Sequence, residues 1–200
     1  PDMRKRRTDL STCFGDGIVS AEGCTDGPLA FSHAVPHCTP KSALGTVMMT
    51  RIESGAQVFV HASDIQLLDD ATVDRIIDWR PTTLLDAGPP LYLGRLGKAE
   101  RECAWRNALR LVEHVRVVIL DHHLMRDSSG PEWLNALSKT TCKRVYCTAD
   151  FMGRPRRLLE SWREQLYEDM PVPAGWHARY ARGEASIEAY FEGPRDRAVQ

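Results

Sequence analysis

Apolar positions along the chain change their period near residue 69. Before that point, short runs suit extended structure: Leu29 to Ser32, Gly45 to Ile52 and Ala56 to His61. Glu53-Ser54-Gly55 separates the last two and reads as a hairpin turn, where glycine supplies the conformation that tight reversals need. The opening, rich in Gly, Ser, Thr and Asp, reads as irregular over residues 1–28. From residue 69 the pattern alternates between helix and strand. Asp69-Asp70 cap an amphipathic stretch that ends at Trp79, and Thr82 to Asp86 follows as a strand. Gly97 to His114 predicts a helix burying Leu109, Leu111 and Val112. Arg116-Val-Val-Ile-Leu120 is apolar on both faces, as a central strand covered from both sides must be. Pro131 to Leu137 and Pro155 to Tyr167 are predicted helices with proline in the first turn, and Arg144 to Cys147 is a strand between them. Trp176, Tyr180, Tyr190 and Phe191 suggest short C-terminal helices packed through aromatics. The pattern is α/β with a mixed sheet, in one domain over 1–200.

Composition narrows the function classes. At 200 residues with 42% apolar and 26% charged residues, the chain can bury a core and is neither disordered nor fibrous. Twenty-six Lys and Arg against 27 Asp and Glu leave a net charge of -1, so no overall basic field drives nucleic-acid or membrane binding. Six cysteines without a C-x-x-C pair read as reduced, buried thiols. No apolar stretch approaches the ~20 residues of a membrane span, which points to a cytoplasmic protein with no membrane partner. The chain begins Pro1-Asp2 with its first Met at position 3, as a fragment or a processed form would.

Candidate chemistry collects just after apolar runs: Val35-Pro-His37, Phe59-Val-His-Ala-Ser-Asp64 and Val118-Ile-Leu-Asp-His-His123. In α/β folds, loops at the carboxyl ends of strands are anchored on rigid backbone yet open to solvent. Imidazoles and a carboxylate suit a borderline divalent ion such as zinc, with manganese or iron as alternatives. Each signal alone has a plainer explanation. His37 can be a turn residue beside Pro36, and Asp64 or Asp121 a cap. The order of the three segments makes a shared site the better reading.

The runs Phe31-Ser-His-Ala-Val-Pro-His-Cys-Thr-Pro-Lys-Ser-Ala-Leu-Gly45, His61-Ala-Ser-Asp-Ile-Gln66, Ala87-Gly-Pro-Pro-Leu-Tyr92 and Asp121-His-His-Leu-Met-Arg-Asp127 resemble the metallo-β-lactamase-fold hydrolases. Within them, a largely archaeal branch is the most similar, over about residues 29–180. The resemblance implies an αββα sandwich holding one or two metal ions at a sheet edge, and a metal-activated water acting on an ester, thioester or phosphodiester. It places His37 in the third metal motif, Asp64 as a bridging carboxylate and His122, or alternatively His123, as the last histidine. Asp64 and His122 then carry the catalysis. Cys38 stands where that branch has glycine and is a possible soft ligand. None of the seven histidines forms the family's upstream His-x-His-x-Asp-His motif, so the chain reads as the C-terminal portion of the fold. On that reading the chain alone holds metal weakly, is inactive, and exposes an apolar sheet surface that favours oligomers. The alternative function is a non-catalytic protein that binds nucleic acid or a partner on the same fold.

Smaller features carry paired readings. Gly88, Pro89 and Pro90 form either a wall of the substrate pocket or a rigid turn. Arg126 either clamps an anionic substrate or pairs with Asp127. Arg4-Lys5-Arg6-Arg7 is a solvated end rather than a nucleic-acid patch. Arg154, Arg156, Arg157 and Arg163 read as the outer face of a helix whose Leu158, Leu159 and Trp162 are buried. If strand alternation persists to His123, then Asp121 and His123 share one side, His122 points to the other, and only one imidazole faces the metal; the resemblance implies that this one is His122, with His123 orienting a ligand or contacting substrate.

Overall fold

The computed structural model describes residues 3–40, 42 and 45–188. In chain order the elements are α1 (Met3–Phe14), β1 (Thr25–Asp26), β2 (Leu29–Phe31), β3 (Val35–Pro36), β4 (Thr46–Val47), β5 (Thr50–Ser54), β6 (Gln57–Ala62), α2 (Asp70–Asp78), β7 (Thr83–Asp86), α3 (Lys98–His114), β8 (Val117–Leu120), α4 (Gly130–Thr141), α5 (Thr148–Phe151), α6 (Arg163–Asp169) and α7 (Trp176–Ala181). Six strands form one sheet in the order β1-β2-β5-β6-β7-β8, and β3 pairs with β4 separately. The pairs β1/β2, β2/β5 and β5/β6 are antiparallel, whereas β6/β7 and β7/β8 are parallel. The protein is therefore α/β with a mixed sheet. The change of direction follows from the connections. Gly55, at φ +57, closes the β5–β6 hairpin, while the crossovers through α2 and α3 are long enough to return each strand parallel to the last.

Helices α2, α3 and α4 pack over the face of the sheet that carries Val60, Leu84, Val118 and Leu120. Ile76, Leu111, Leu134 and Leu137 meet them there with no exposed surface. Each such side chain contributes about 1.5–3 kcal/mol through burial. Asp69 caps α2 by accepting from the Thr72 N–H at 3.0 Å. Asn107, wholly buried in α3, donates through Nδ2 to the Leu67 carbonyl (3.1 Å) and to Asp70 Oδ1 (2.9 Å), which ties α3 to the start of α2. On the opposite face, register sets Leu29, Ile52 and Phe59 in one row across β2, β5 and β6. Phe31 and Leu85 share that face, and all five are only half-buried.

Several sequence expectations need correction. Residues 3–14 are helical rather than irregular; Met, Lys, Arg and Leu favour a helix locally, and no Gly or Pro interrupts them. Pro155 does not open a helix. Arg156 is held by Asp150 through bonds of 2.9 and 2.7 Å, residues 154–158 are non-helical, and α6 begins only at Arg163. Leu159 is accordingly exposed instead of core. The run Gly45 to Ile52 divides where fully buried Met49 leaves the strand path. Residues 144–147 contribute one parallel bridge, Ile119 to Tyr146, instead of a strand. Of the cysteines only Cys147 is buried, since the others fall on loops and on the outer sides of helices. Trp176 and Tyr180 do stack within α7, at 5.0 Å and 14°, whereas Tyr190 and Phe191 lie outside the described residues. Among the described residues no helix is long and apolar enough to cross a membrane.

Candidate metal centre

Parallel pairing brings Ala62, Asp86 and Leu120 into register at the carboxyl ends of β6, β7 and β8. The chain leaves β6 and turns at Asp64, whose φ of +62 is a conformation aspartate tolerates better than most residues. It leaves β8 and turns at once: the His123 and Leu124 N–H groups donate to the Ala87 carbonyl (3.0 and 3.1 Å), and a 3-10 turn follows over Leu124–Arg126. His37 follows β3, its N–H donating to the Gly45 carbonyl at 3.2 Å.

These three turns aim their side chains at one point. Asp64 Oδ1 lies 2.9 Å from His122 Nε2, 3.4 Å from His123 Nε2 and 3.9 Å from His37 Nε2. The rings of His37 and His123 meet edge to face at 5.5 Å. Alternation along β8 therefore does not separate the paired histidines. The strand ends at Leu120, and both imidazoles reach Asp64 from the turn. They differ in burial, His122 being 42% exposed and His123 6%.

His37, Asp64 and His123 each offer a ligand atom, all within 4.8 Å of one another, and this group includes neither His122 nor Cys38. Two buried nitrogens, His37 Nδ1 and His123 Nε2, have no hydrogen-bond partner. Buried polar atoms are rarely left so, and an ion or an ordered water is one reason for such a site. On the far side of its ring, His123 Nδ1 lies 3.1 Å from the Tyr92 hydroxyl. When Nδ1–H donates to that oxygen, Nε2 carries the lone pair and points at Asp64. Burial, then the nearby His122 and Arg126 charges, push the His123 pKa down to about 4, so the ring is neutral at pH 7. Partial burial raises the Asp64 pKa, but the His122 hydrogen bond and the three imidazole charges outweigh it and leave the carboxyl below its ordinary value. The neutral His123 nitrogen and the His37 imidazole beside a carboxylate form a donor set that fits a borderline divalent ion.

The neighbouring loop is a packed turn. Gly88, Pro89 and Pro90 are all buried, and Gly88 adopts φ +74 against Leu124. Asp86 Oδ1 accepts the Gly88 N–H at 2.7 Å, while its buried Oδ2 has no partner. Burial pushes the Asp86 pKa well up. Arg126 does not pair with Asp127, because Asp127 accepts from the Ser129 N–H and hydroxyl at 2.8 and 2.6 Å. Its guanidinium instead stands 5.8 Å from the centre of the Tyr92 ring. The sequence pattern assigns Tyr92 no role, although it ends the family-like run Ala87-Gly-Pro-Pro-Leu-Tyr92 in the loop after β7.

Among known proteins, the chain is 44% identical over 187 residues to a UPF0282 protein of Methanosarcina mazei, a match covering 94% of this chain and 62% of the relative. It is 37% identical over 176 residues to one from Thermococcus sibiricus, covering 82% and 52%. To one from Pyrococcus furiosus it is 35% identical over 168 residues, covering 81% and 52%. The chain thus spans between half and two thirds of the length of these relatives. No family model and no solved structure matches it. Over most of its length, this chain is similar to part of the archaeal UPF0282 proteins.

Proposed function

We propose that His37, Asp64 and His123 hold a divalent metal ion, zinc first among candidates, and that the protein is a metal-dependent hydrolase of metallo-β-lactamase type. One observation carries this reading: a buried, neutral imidazole nitrogen without a partner faces a carboxylate, at the common end of three strands. When bound, the ion supplies a Lewis acid and lowers the pKa of a bound water from about 15.7 to about 7. The chain's own groups do the rest. Tyr92 orients His123 through Nδ1, and His122 holds Asp64 through Oδ1. His122, being half-exposed, is the group placed to exchange a proton with substrate. The half-buried apolar face of Leu29, Ile52 and Phe59 supports the sandwich half of the reading, because a second sheet is what such a face packs against in αββα architecture.

Zinc titration followed by native mass spectrometry tests the site. One ion per chain is expected, with affinity falling about 10-fold or more in His123→Ala or Asp64→Ala and less in His122→Ala. Full occupancy in the His123 and Asp64 variants overturns the ligand assignment. Metal-dependent release of p-nitrophenol from an ester or phosphodiester by the longer M. mazei relative, and not by this chain alone, is the expected activity. Its absence from the longer relative overturns the hydrolase reading.

A further inference from the structure

Arg126 is a cation beside the candidate centre with no anionic partner. Among the described residues no carboxylate lies within salt-bridge distance of it, unlike Arg51, Arg106, Arg110, Arg156, Arg163 and Arg182. Its Nε is buried and has no acceptor. Among the described residues the one hydrogen bond from its side chain is long, from Nη1 to the Tyr92 hydroxyl at 3.5 Å. That hydroxyl is the one lying 3.1 Å from His123 Nδ1, so the guanidinium is two contacts from the candidate ligand. Geometry places it there. Arg126 ends the 3-10 turn for which His123 is the cap, and in a 3-10 helix residues three apart are eclipsed on one side. The guanidinium carbon stands 5.8 Å from the centre of the Tyr92 ring, within cation–π range, and the Nη donors beyond the Tyr92 hydroxyl are left for an acceptor.

We infer that Arg126, steadied by Tyr92, binds an anionic oxygen group of the substrate beside the metal centre, which makes the substrate an anionic ester. This rests on the proposed hydrolase and names its substrate class. A planar fork of N–H donors matches the paired oxygens of a phosphoryl group or a carboxylate, and the two share this chemistry. Arg126 recognises charge that is present before reaction as well as during it, so it acts on binding and specificity.

The test uses the chain with inorganic phosphate and acetate as probes, each titrated by calorimetry with and without bound zinc. Wild type is expected to bind one anion per chain. Arg126→Ala should lower that affinity 10-fold or more, and Arg126→Lys should recover part of it, since a lysine keeps the charge but loses the fork. Tighter binding of phosphate than acetate assigns the phosphoryl group, and the reverse assigns the carboxylate. An unchanged midpoint and denaturant slope in urea unfolding of Arg126→Ala shows that the variant is folded. Equal anion affinity in wild type and both variants, or no anion binding by wild type in either metal state, overturns the inference. Arg126-dependent anion binding in a chain that takes up no zinc would sustain the anion site and refute the metal reading alone.

Discussion

Replacing Gly88 by alanine probes how the turn after β7 supports the histidines. Gly88 adopts φ +74, and a Cβ built there would stand 2.9 Å from Leu124 Cβ. The conformation itself costs an L-residue about 1–2 kcal/mol. Crowding a packed interior adds about 1–3 kcal/mol, because neither Leu124, wholly buried, nor the backbone beneath it has room to yield. The sum, about 3 kcal/mol, corresponds to a fall in melting temperature of roughly 6–12 °C for a chain of this size. Gly55→Ala is the control. Its φ is +57 but no atom lies within 4 Å of the added carbon, so it carries the conformational cost alone. Urea unfolding of the two variants should show Gly88→Ala losing about 1–3 kcal/mol more than Gly55→Ala at unchanged denaturant slope. Since Leu124 follows His123 directly, the same variant should weaken zinc binding while Gly55→Ala does not. Equal losses in the two variants would refute the tight contact at Leu124 and with it the claim that this turn sets the position of His123.

Further outcomes follow from other parts of the fold. Asp86 is buried and its pKa is raised, so the folded state holds its proton more tightly than the unfolded state; its effect is stabilising at low pH and is lost as pH rises from about 4 through the raised value. Asp86→Asn should therefore gain stability relative to wild type as pH increases, and urea unfolding at pH 5 and pH 8 checks the sign. Asn107→Ala removes the bonds to Leu67 and Asp70 and should cost about 2 kcal/mol by the same measurement. Leu134→Ala, at a position with no exposed surface, should cost about 2–5 kcal/mol. The half-buried row of Leu29, Ile52 and Phe59 should drive self-association of the chain, and Phe59→Glu should return it to monomer in sedimentation velocity. A wild-type chain that is monomeric at all concentrations would refute that reading of the face.

Local chemistry made much of the fold legible in the chain itself. The Asp69 cap, the Gly55 hairpin and the doubly apolar run at Val117–Leu120 each depend on residues close in sequence, and each stands where the pattern sets it. Expectations failed where a side-chain or core contact overrode the pattern of the segment. Asp150 holds Arg156 beside a Pro155 that opens no helix, and Met49 is drawn into the core from what reads as continuous strand. The candidate site divides in the same way. His37, Asp64 and the His122-His123 pair are visible as polar residues at the ends of apolar runs, because loops at strand ends are where rigid backbone meets solvent. Which of the paired imidazoles is buried, that both face Asp64, and that Tyr92 and Arg126 stand behind His123 depend on the turn taken after Leu120. That turn is held by the Ala87 carbonyl and by Gly88 packed on Leu124, contacts more than thirty residues apart in sequence. A one-dimensional pattern carries the types and order of the ligands; only tertiary packing decides which nitrogen is left without a partner.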